Sequence, residues 1–317
     1  MKPHLKLAFV DFSQRTFAAK GCFLYKLLEP LYDLELADDP QVVFYSCFGQ
    51  AHRRYRCRRI FYTGENCRPD WRACDYALSF DHCDRPEHYR LPNYARGTYG
   101  DLRDLIKGRA DVDRILSEKT AFCNFIYSNR HCQERNQFFD RLARYKRIDS
   151  PGAVRNNMQG VIGPRFGGDT PWQVSKLAFL RRYKFTIAFE NCSYPGYTTE
   201  KLTQPMFANS LPIYWGNPLV QRDFNPRSFL SYYDCGSQDE LAERVIALDR
   251  DDSLYAECLR QPWLHGDRVP PQFEPESIRQ FVVRAIETPR PLVAQRTWPS
   301  WFSGWPFARR KVARHAT

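Results

Sequence analysis

Three observations predict an α/β protein of two successive strand–helix units with a crevice between them. Short apolar runs alternate with amphipathic stretches. The alternation restarts near residues 115–120. The second series then holds a strand, a polar loop, a helix N-terminus and another strand in unbroken order. Runs that are apolar throughout suit parallel strands covered on both faces. In the first unit, residues 5–10, 41–46, 59–63 and 76–80 read as strands and 22–32 as a helix. Residues 101–119 are charged and periodic, which predicts one exposed helix. In the second unit, a strand over 120–127 precedes a helix over 132–145, and 186–189 and 211–215 read as buried strands. Residues 239–249 and 275–287 read as later helices, the last able to pack on either unit. The chain divides on this reading into 1–118, 119–288 and a tail, 289–317.

The composition is that of a globular protein. Hydrophobic residues make up 43% and aromatic residues 15% of 317 positions, enough for two cored domains. The net charge of +11 points to an anionic partner: nucleotide, nucleic acid or membrane surface. Eleven cysteines, odd in number and irregular in spacing, follow no secretory leader pattern, which predicts free thiols in a cytoplasmic, reducing setting. Cys57, Cys67, Cys74 and Cys83 lack the paired spacing of a zinc site. Asp111-Val112-Asp113 and Asp249-Arg250-Asp251-Asp252 are acidic runs in charged helical stretches, which predicts solvated faces and no metal site. Gly167-Gly168 is a weak phosphate-loop signal. No apolar run approaches the length of a membrane span.

The most informative stretch is 185–216. Residues 186–189 form a buried strand that breaks at Glu190-Asn191, and Pro195-Gly196 mark a turn. Thr198 or Thr199 can cap the helix that begins Glu200-Lys201. A lysine in a first helical turn opposes the helix dipole, and an anionic ligand such as a pyrophosphate relieves that conflict. Arg155, entering a loop after Pro151-Gly152-Ala153-Val154, offers a bidentate fork for the same diphosphate.

The order of motifs resembles a known family. Glu190-Asn191 and Gly196-Tyr197, then Thr199-Glu200-Lys201, Pro212-Ile213-Tyr214-Trp215-Gly216 and residues 223–229 (DFNPRSF) resemble the donor-binding signature of α1,3/α1,4-fucosyltransferases that use GDP-fucose. Upstream, residues 61–66 (FYTGEN), 68–70 (RPD), 74–81 (CDYALSFD), 125–129 (FIYSN) and 154–157 (VRNN) continue it, over roughly 5–285. The likeness is to bacterial-type members of glycosyltransferase family 10. It implies a GT-B fold of two Rossmann-like domains, GDP-fucose as donor, and no required cofactor. It further implies a glycan acceptor with an N-acetylglucosamine or glucose unit, as in N-acetyllactosamine, Lewis-antigen or lipopolysaccharide chains.

The resemblance also distributes roles. Glu65, just past the strand over 59–63, matches the catalytic base, and Tyr62 an aromatic beside it. Asn191 and Tyr197 fall at donor-contact positions. Glu200 suits the ribose hydroxyls or simply the helix cap. Glu190 either faces the donor ring or anchors the loop. Asp81 and His82 form a second acid–imidazole cluster on the acceptor side, and Asn129 is a further strand-end candidate. Inverting transfer needs such a base for the acceptor proton and cations for the departing diphosphate. Cys192-Ser193-Tyr194-Pro195 fills the spacer of the donor loop, and the tail has no heptad repeats. Another nucleotide-sugar donor is one alternative. A nucleic-acid-binding protein is another, though it accounts for the charge and not for Glu65, Glu190 and Glu200 in the expected crevice. In the tail, three Trp and two Phe beside an Arg/Lys block suit peripheral contact with the inner face of a membrane.

Overall fold

The computed structural model describes residues 1–295, apart from 14–16, 98–99, 109–110, 160 and 163–171. Two all-parallel sheets carry the fold. The first has six strands in the order β2-β1-β3-β4-β5-β6: β1 (His4–Val10), β2 (Asp33–Leu36), β3 (Val42–Tyr45), β4 (Arg58–Tyr62), β5 (Tyr76–Ser79) and β6 (His88–Arg90). The second has five, in the order β11-β10-β9-β7-β8: β7 (Ala121–Asn124), β8 (Ile148–Asp149), β9 (Tyr183–Phe189), β10 (Leu211–Trp215) and β11 (Leu230–Ser231). The central strands are buried along their length; Phe44, Ile60, Ala77, Leu78, Phe185 and Ile213 are sealed from solvent or nearly so. That is why they read as continuous apolar runs and not as alternating ones.

The helices are α1 (Phe23–Leu28), α2 (Val112–Ser117), α3 (Gln133–Leu142), α4 (Trp172–Arg181), α5 (Glu200–Phe207), α6 (Gln238–Arg250), α7 (Asp252–Arg260) and α8 (Pro275–Glu287). The last returns to the first unit. Phe281 packs edge-on against Tyr76 at 6.0 Å, Arg279 Nε donates to the Leu27 carbonyl at 3.2 Å, and Tyr32 donates to Glu287 at 2.5 Å. Just beyond it, the Val293 N–H donates to Asp75 at 2.7 Å. Across the crevice, Arg90 grips Asp223 with both terminal nitrogens, at 2.9 and 2.6 Å. Lys107 meanwhile donates to the carbonyls of Leu259 and Gln261 that end α7.

Some elements depart from the sequence reading. The exposed helix expected over 101–119 is a one-turn 3-10 segment, Leu102–Leu105, followed by α2, with Gly108 in a left-handed conformation between them. Leu102, Leu105, Val112 and Ile115 are buried, so the period was that of two short core-facing pieces. The helix expected over 22–32 ends at Leu28, and the chain then turns into β2, a four-residue edge strand in which Asp33 and Glu35 alternate with Leu34 and Leu36. Asp249 is not on a solvated face. It is buried, accepts the Tyr145 hydroxyl, and lies against the ammonium groups of Lys146 and Lys184, which offset its charge. Asp111 caps α2 by accepting the Arg114 N–H, so the first acidic run is capping chemistry. The eleven cysteines are all unbridged. Gly167-Gly168 and residues 296–317 of the tail lie outside the described residues. Among the described residues no helix is long and apolar enough to cross a membrane, and no cluster of three or more His, Cys, Asp or Glu is placed to hold a metal.

Candidate active site

The carboxyl ends of the two sheets meet. The loop after β9, residues 190–199, crosses the crevice onto the loops that follow β4 and β5. Gly196, with φ of 85°, lies so close to the first sheet that a Cβ there would sit 2.6 Å from the Phe80 carbonyl oxygen and 3.2 Å from the His82 ring. Only glycine fits that approach and that backbone. Phe80 makes edge contacts with Tyr194 and Tyr197, and the Arg68 guanidinium lies 4.1 Å over the Tyr194 ring. Asn66 donates to the Cys192 sulfur at 2.9 Å, and Asn93 to Glu200 at 3.2 Å.

Glu65 is exposed on the crevice side of the loop after β4. Its N–H donates to the Thr63 hydroxyl at 3.0 Å and its carbonyl accepts from the Cys67 N–H at 2.7 Å. Gly64 owes its place to crowding: a Cβ there would lie 3.0 Å from Asn93 and 3.2 Å from Arg96. Tyr62 is buried beneath this loop, its hydroxyl receiving Arg96 at 2.6 Å. Asp81 is half-buried and His82 exposed, both at the end of β5 and beside the Gly196 loop. Burial raises the Asp81 carboxyl. Burial, with the Arg90 and Arg222 charges, lowers the His82 imidazole against the pull of Asp223.

The opposite face is tightly wired. Glu190 is fully buried. The Thr199 N–H donates to it at 2.7 Å, the Thr199 hydroxyl reaches its two oxygens at 3.0 and 2.8 Å, and Lys201 Nζ lies 3.4 Å away. It is therefore the anchor of the donor loop. Burial pushes its carboxyl up, and Lys201 pulls against that shift. Thr199, not Thr198, is the N-cap of α5. Lys201 is shared between Glu190 and Glu200, each at 3.4 Å, and those charges raise its ammonium against the effect of burial. Burial would raise Glu200, but Lys201 and Lys176 more than offset it and hold the carboxyl below its ordinary value. The Tyr197 hydroxyl is pushed far up, first by burial, then by Glu190 and Glu65.

Two cations escaped the sequence reading. Arg135, in the first turn of α3, is fully buried. It stacks 3.8 Å over the Tyr127 ring and donates to Asn191 Oδ1 at 3.1 Å and to the Asn129 carbonyl at 2.6 Å. Among the described residues no carboxylate lies within 4.0 Å of it, and its Nε has no acceptor. A buried guanidinium without a counter-charge costs several kcal/mol unless an anion arrives. Its charge acts on Lys201, so the two share one field. Lys176 lines the same small cleft as Lys201, with Tyr127 and Pro205, and donates to Gln204 at 2.6 Å. The dipole argument applied to Lys201 applies equally to Arg135 and would have found it.

Arg155 is held by other partners. It sits exposed in the loop after β8 with φ of 52°, its guanidinium on Asp140 and 5.3 Å over the Phe139 ring. Arg155 thus pairs with Asp140 in this structure, while Arg135 is the buried cation whose charge acts on Lys201. Asn191 is exposed and oriented by Arg135, and Asn129 contributes its carbonyl to the same guanidinium while its side chain accepts the His131 N–H.

Comparison with known proteins fits this geometry. The alpha-(1,3)-fucosyltransferase FucT N-terminal domain family matches residues 7–96, and the glycosyltransferase family 10 (fucosyltransferase) C-terminal family matches 116–273. The alpha-(1,3)-fucosyltransferase FucT of Helicobacter pylori is 28% identical over 296 residues, which is 81% of this chain and 60% of that protein. The chain thus spans about three-fifths of that relative's length. A crystal structure of an alpha1,3-fucosyltransferase with GDP-fucose superposes with a TM-score of 0.72 at 25% identity, over 92% of this chain and 93% of that one. HepE of Anabaena, solved with UDP and glucose, matches at 0.53 and 8% identity over 89% and 99%, a likeness of fold alone. The architecture is accordingly GT-B. With both family matches falling in order on the two sheets whose carboxyl ends form the crevice, the chain belongs to glycosyltransferase family 10, the fucosyltransferases.

Proposed function

We propose that the protein moves L-fucose from GDP-fucose to a sugar hydroxyl with inversion, the acceptor being O3 of an N-acetylglucosamine or glucose unit in an N-acetyllactosamine-type glycan. One observation carries the reading: an exposed carboxylate loop on the first sheet touches, through Asn66 and Cys192, the loop that leads into the cationic N-terminus of α5. In this reading Glu65 takes the acceptor proton as the hydroxyl attacks the anomeric carbon. The bond to the diphosphate breaks on the far side, and Arg135 and Lys201 stabilise the charge that develops there. Asn191, held by Arg135, and Tyr197 line the donor. Glu200 is placed for the ribose, and Asp81 and His82 border the acceptor side. These cations and the helix N-terminus supply the neutralisation that a divalent metal provides in other transferases.

The test is calorimetric titration with GDP, UDP and ADP in chelator at moderate salt, followed by transfer to N-acetyllactosamine and lactose. Preference for GDP without metal, and a fucosylated product, is the expected result. Preference for UDP would keep the fold and overturn the donor. Peripheral membrane contact through residues 289–317 belongs to the same proposal, supported by their aromatic and basic composition. Sedimentation of the full chain with anionic vesicles, but not with neutral ones, is the expected outcome.

A further inference from the structure

We propose that Asn93 and Arg96 are positioning residues of the transfer reaction, which fix the Glu65 loop against the N-terminus of α5 and so set the distance between base and diphosphate. Both belong to a one-turn 3-10 segment, Asn93–Arg96, that follows β6 of the first sheet. The segment is nevertheless held by the second unit. The Tyr94 ring is buried against Phe224 at 4.9 Å and Phe273 at 5.7 Å, and just ahead of it Arg90 grips Asp223. Gly97, with φ of 70°, turns the chain out of the segment. Gly100 then passes so near α5 that a Cβ there would lie 2.7 Å from the Phe207 ring.

Two side chains of this segment reach opposite faces of the crevice. Asn93 is buried, and its Nδ2 donates to Glu200 Oε2 at 3.2 Å. Burial works to raise the Glu200 carboxyl, but Lys201, Lys176 and Arg96 hold it below its ordinary value. Glu200 is therefore ionised at neutral pH and can only accept. The Asn93 amide oxygen is thereby turned the other way, under Gly64, 3.0 Å from where a Cβ on that residue would stand. It is enclosed and meets no donor among the described residues. An enclosed amide oxygen without a donor is a cost, and the bond to Glu200 keeps it in that orientation. Arg96, half-buried, makes the second tie. Its Nη1 donates to the Tyr62 hydroxyl at 2.6 Å, and Tyr62 is itself met edge-on by the Phe23 ring at 5.0 Å. The same nitrogen would stand 3.2 Å from a Cβ on Gly64.

Gly64 thus rests on both side chains, and Glu65 is the next residue. Inverting transfer needs the base, the acceptor hydroxyl and the leaving diphosphate held in register across the anomeric carbon. An ångström-scale error in that spacing costs about 10²-fold in rate. The diphosphate is placed by the start of α5, which follows a strand of the second sheet, and the base by the loop after β4 of the first. Asn93 touches both, through Glu200 in the first turn of α5 and through Gly64 beside the base. Arg96 completes the support by tying the same segment to Tyr62 at the end of β4.

The effect on turnover rests on Glu65 acting as proposed above; the support of its loop does not, and neither requires Glu200 to hold the ribose. The full chain and its variants are compared by fucose transfer to N-acetyllactosamine, GDP calorimetry and amide exchange over residues 63–67. Asn93→Leu, close in size and without hydrogen bonds, should speed exchange over 63–67. It should lower kcat by about 10–100-fold with GDP affinity little changed. Arg96→Met should act in the same direction, and Arg96→Lys, which keeps a donor for Tyr62, should recover most of the loss. Asn93→Leu combined with Glu200→Leu should lower kcat by less than the product of the two single losses, because both remove one hydrogen bond. Asn93→Asp serves if the leucine variant fails to fold; its carboxylate repels Glu200, and kcat should fall at least as far. An Asn93 variant with unchanged kcat, unchanged exchange over 63–67, or a loss of GDP affinity as large as its loss of kcat overturns the proposal. Single losses that multiply in full overturn the link through Glu200. A Glu65→Gln variant that keeps its turnover overturns the base reading instead, and faster exchange over 63–67 in Asn93→Leu then leaves the support of the loop standing.

Discussion

The two faces of the crevice are held to different degrees. On the C-terminal face, Glu190 takes three hydrogen bonds from Thr199 alone, Lys201 is shared by two carboxylates, and Arg135 is locked between a ring and two acceptors. On the N-terminal face, Glu65 is exposed, and its recorded bonds run through its backbone to Thr63 and Cys67. A site that binds a diphosphate gains from cations fixed before the ligand arrives, since no reorganisation is then needed as charge develops. If Glu65 is the base, as proposed, its place at the rim on a short loop suits a group that must meet a second substrate. The difference predicts that damage to the two faces separates into chemistry and affinity.

The sharpest break of that comparison is Glu65→Gln. Removing the base should lower turnover by roughly 10²–10⁴-fold while GDP affinity stays within a small factor. Steady-state transfer and calorimetry on one preparation decide it; a variant that keeps its turnover removes Glu65 as the base.

Next comes the cation set. Arg135→Ala and Lys201→Ala should each weaken GDP by roughly 10–100-fold, since hydrogen bonds to charged groups are worth about 1.5–3 kcal/mol. Arg155→Ala should leave GDP affinity nearly unchanged, because its guanidinium is spent on Asp140. If the Arg155 variant loses affinity and the Arg135 variant does not, the cation assignment reverses.

That contrast marks where the sequence stops being readable. Strands β1, β3, β4, β9 and β10 were legible because parallel strands covered on both faces carry a run of apolar residues, even where a charged residue such as Lys6, Arg58 or Lys184 stands at or near one end. The helix and loop around Thr199, Glu200 and Lys201 were legible because capping and dipole rules act within a few residues. The pairing of Arg155 with Asp140 was not legible, because Asp140 reaches it from a different element, fifteen positions away. No local rule records that meeting. The same holds for the four-residue strand β2 and for β6, β8 and β11, all too short for a period to be read, and for α8, whose packing against Tyr76 depends on the whole chain.

A smaller effect tests how closely the faces must approach. Gly196→Ala adds a Cβ at 2.6 Å from the Phe80 oxygen in a left-handed backbone, a strain of about 1–3 kcal/mol. Thermal unfolding should shift down by a few degrees, and the Michaelis constant for the donor should rise more than turnover falls. An unshifted melting temperature would mean that the loop does not rest on the first sheet.

The smallest expected effect separates the two readings of Glu200. Its folded value is held below the ordinary 4.5 by Lys201 and Lys176, despite burial. A carboxyl with a depressed folded value contributes stability above its unfolded value and loses it as pH falls through the folded one. The stability gap between the wild type and Glu200→Gln should therefore be full at pH 7 and persist to about pH 5. It should shrink below about 4.5, as the unfolded wild-type chain takes up the proton and the folded carboxyl follows. Repeating the melts with saturating GDP adds the second decision. A gap that widens with GDP means that the carboxylate also holds the ribose, because a ligand stabilises the fold in proportion to its affinity. A gap unchanged by GDP means that Glu200 serves only as the anion of the first helical turn, and the donor face is then built from Arg135, Lys201 and Asn191 without it.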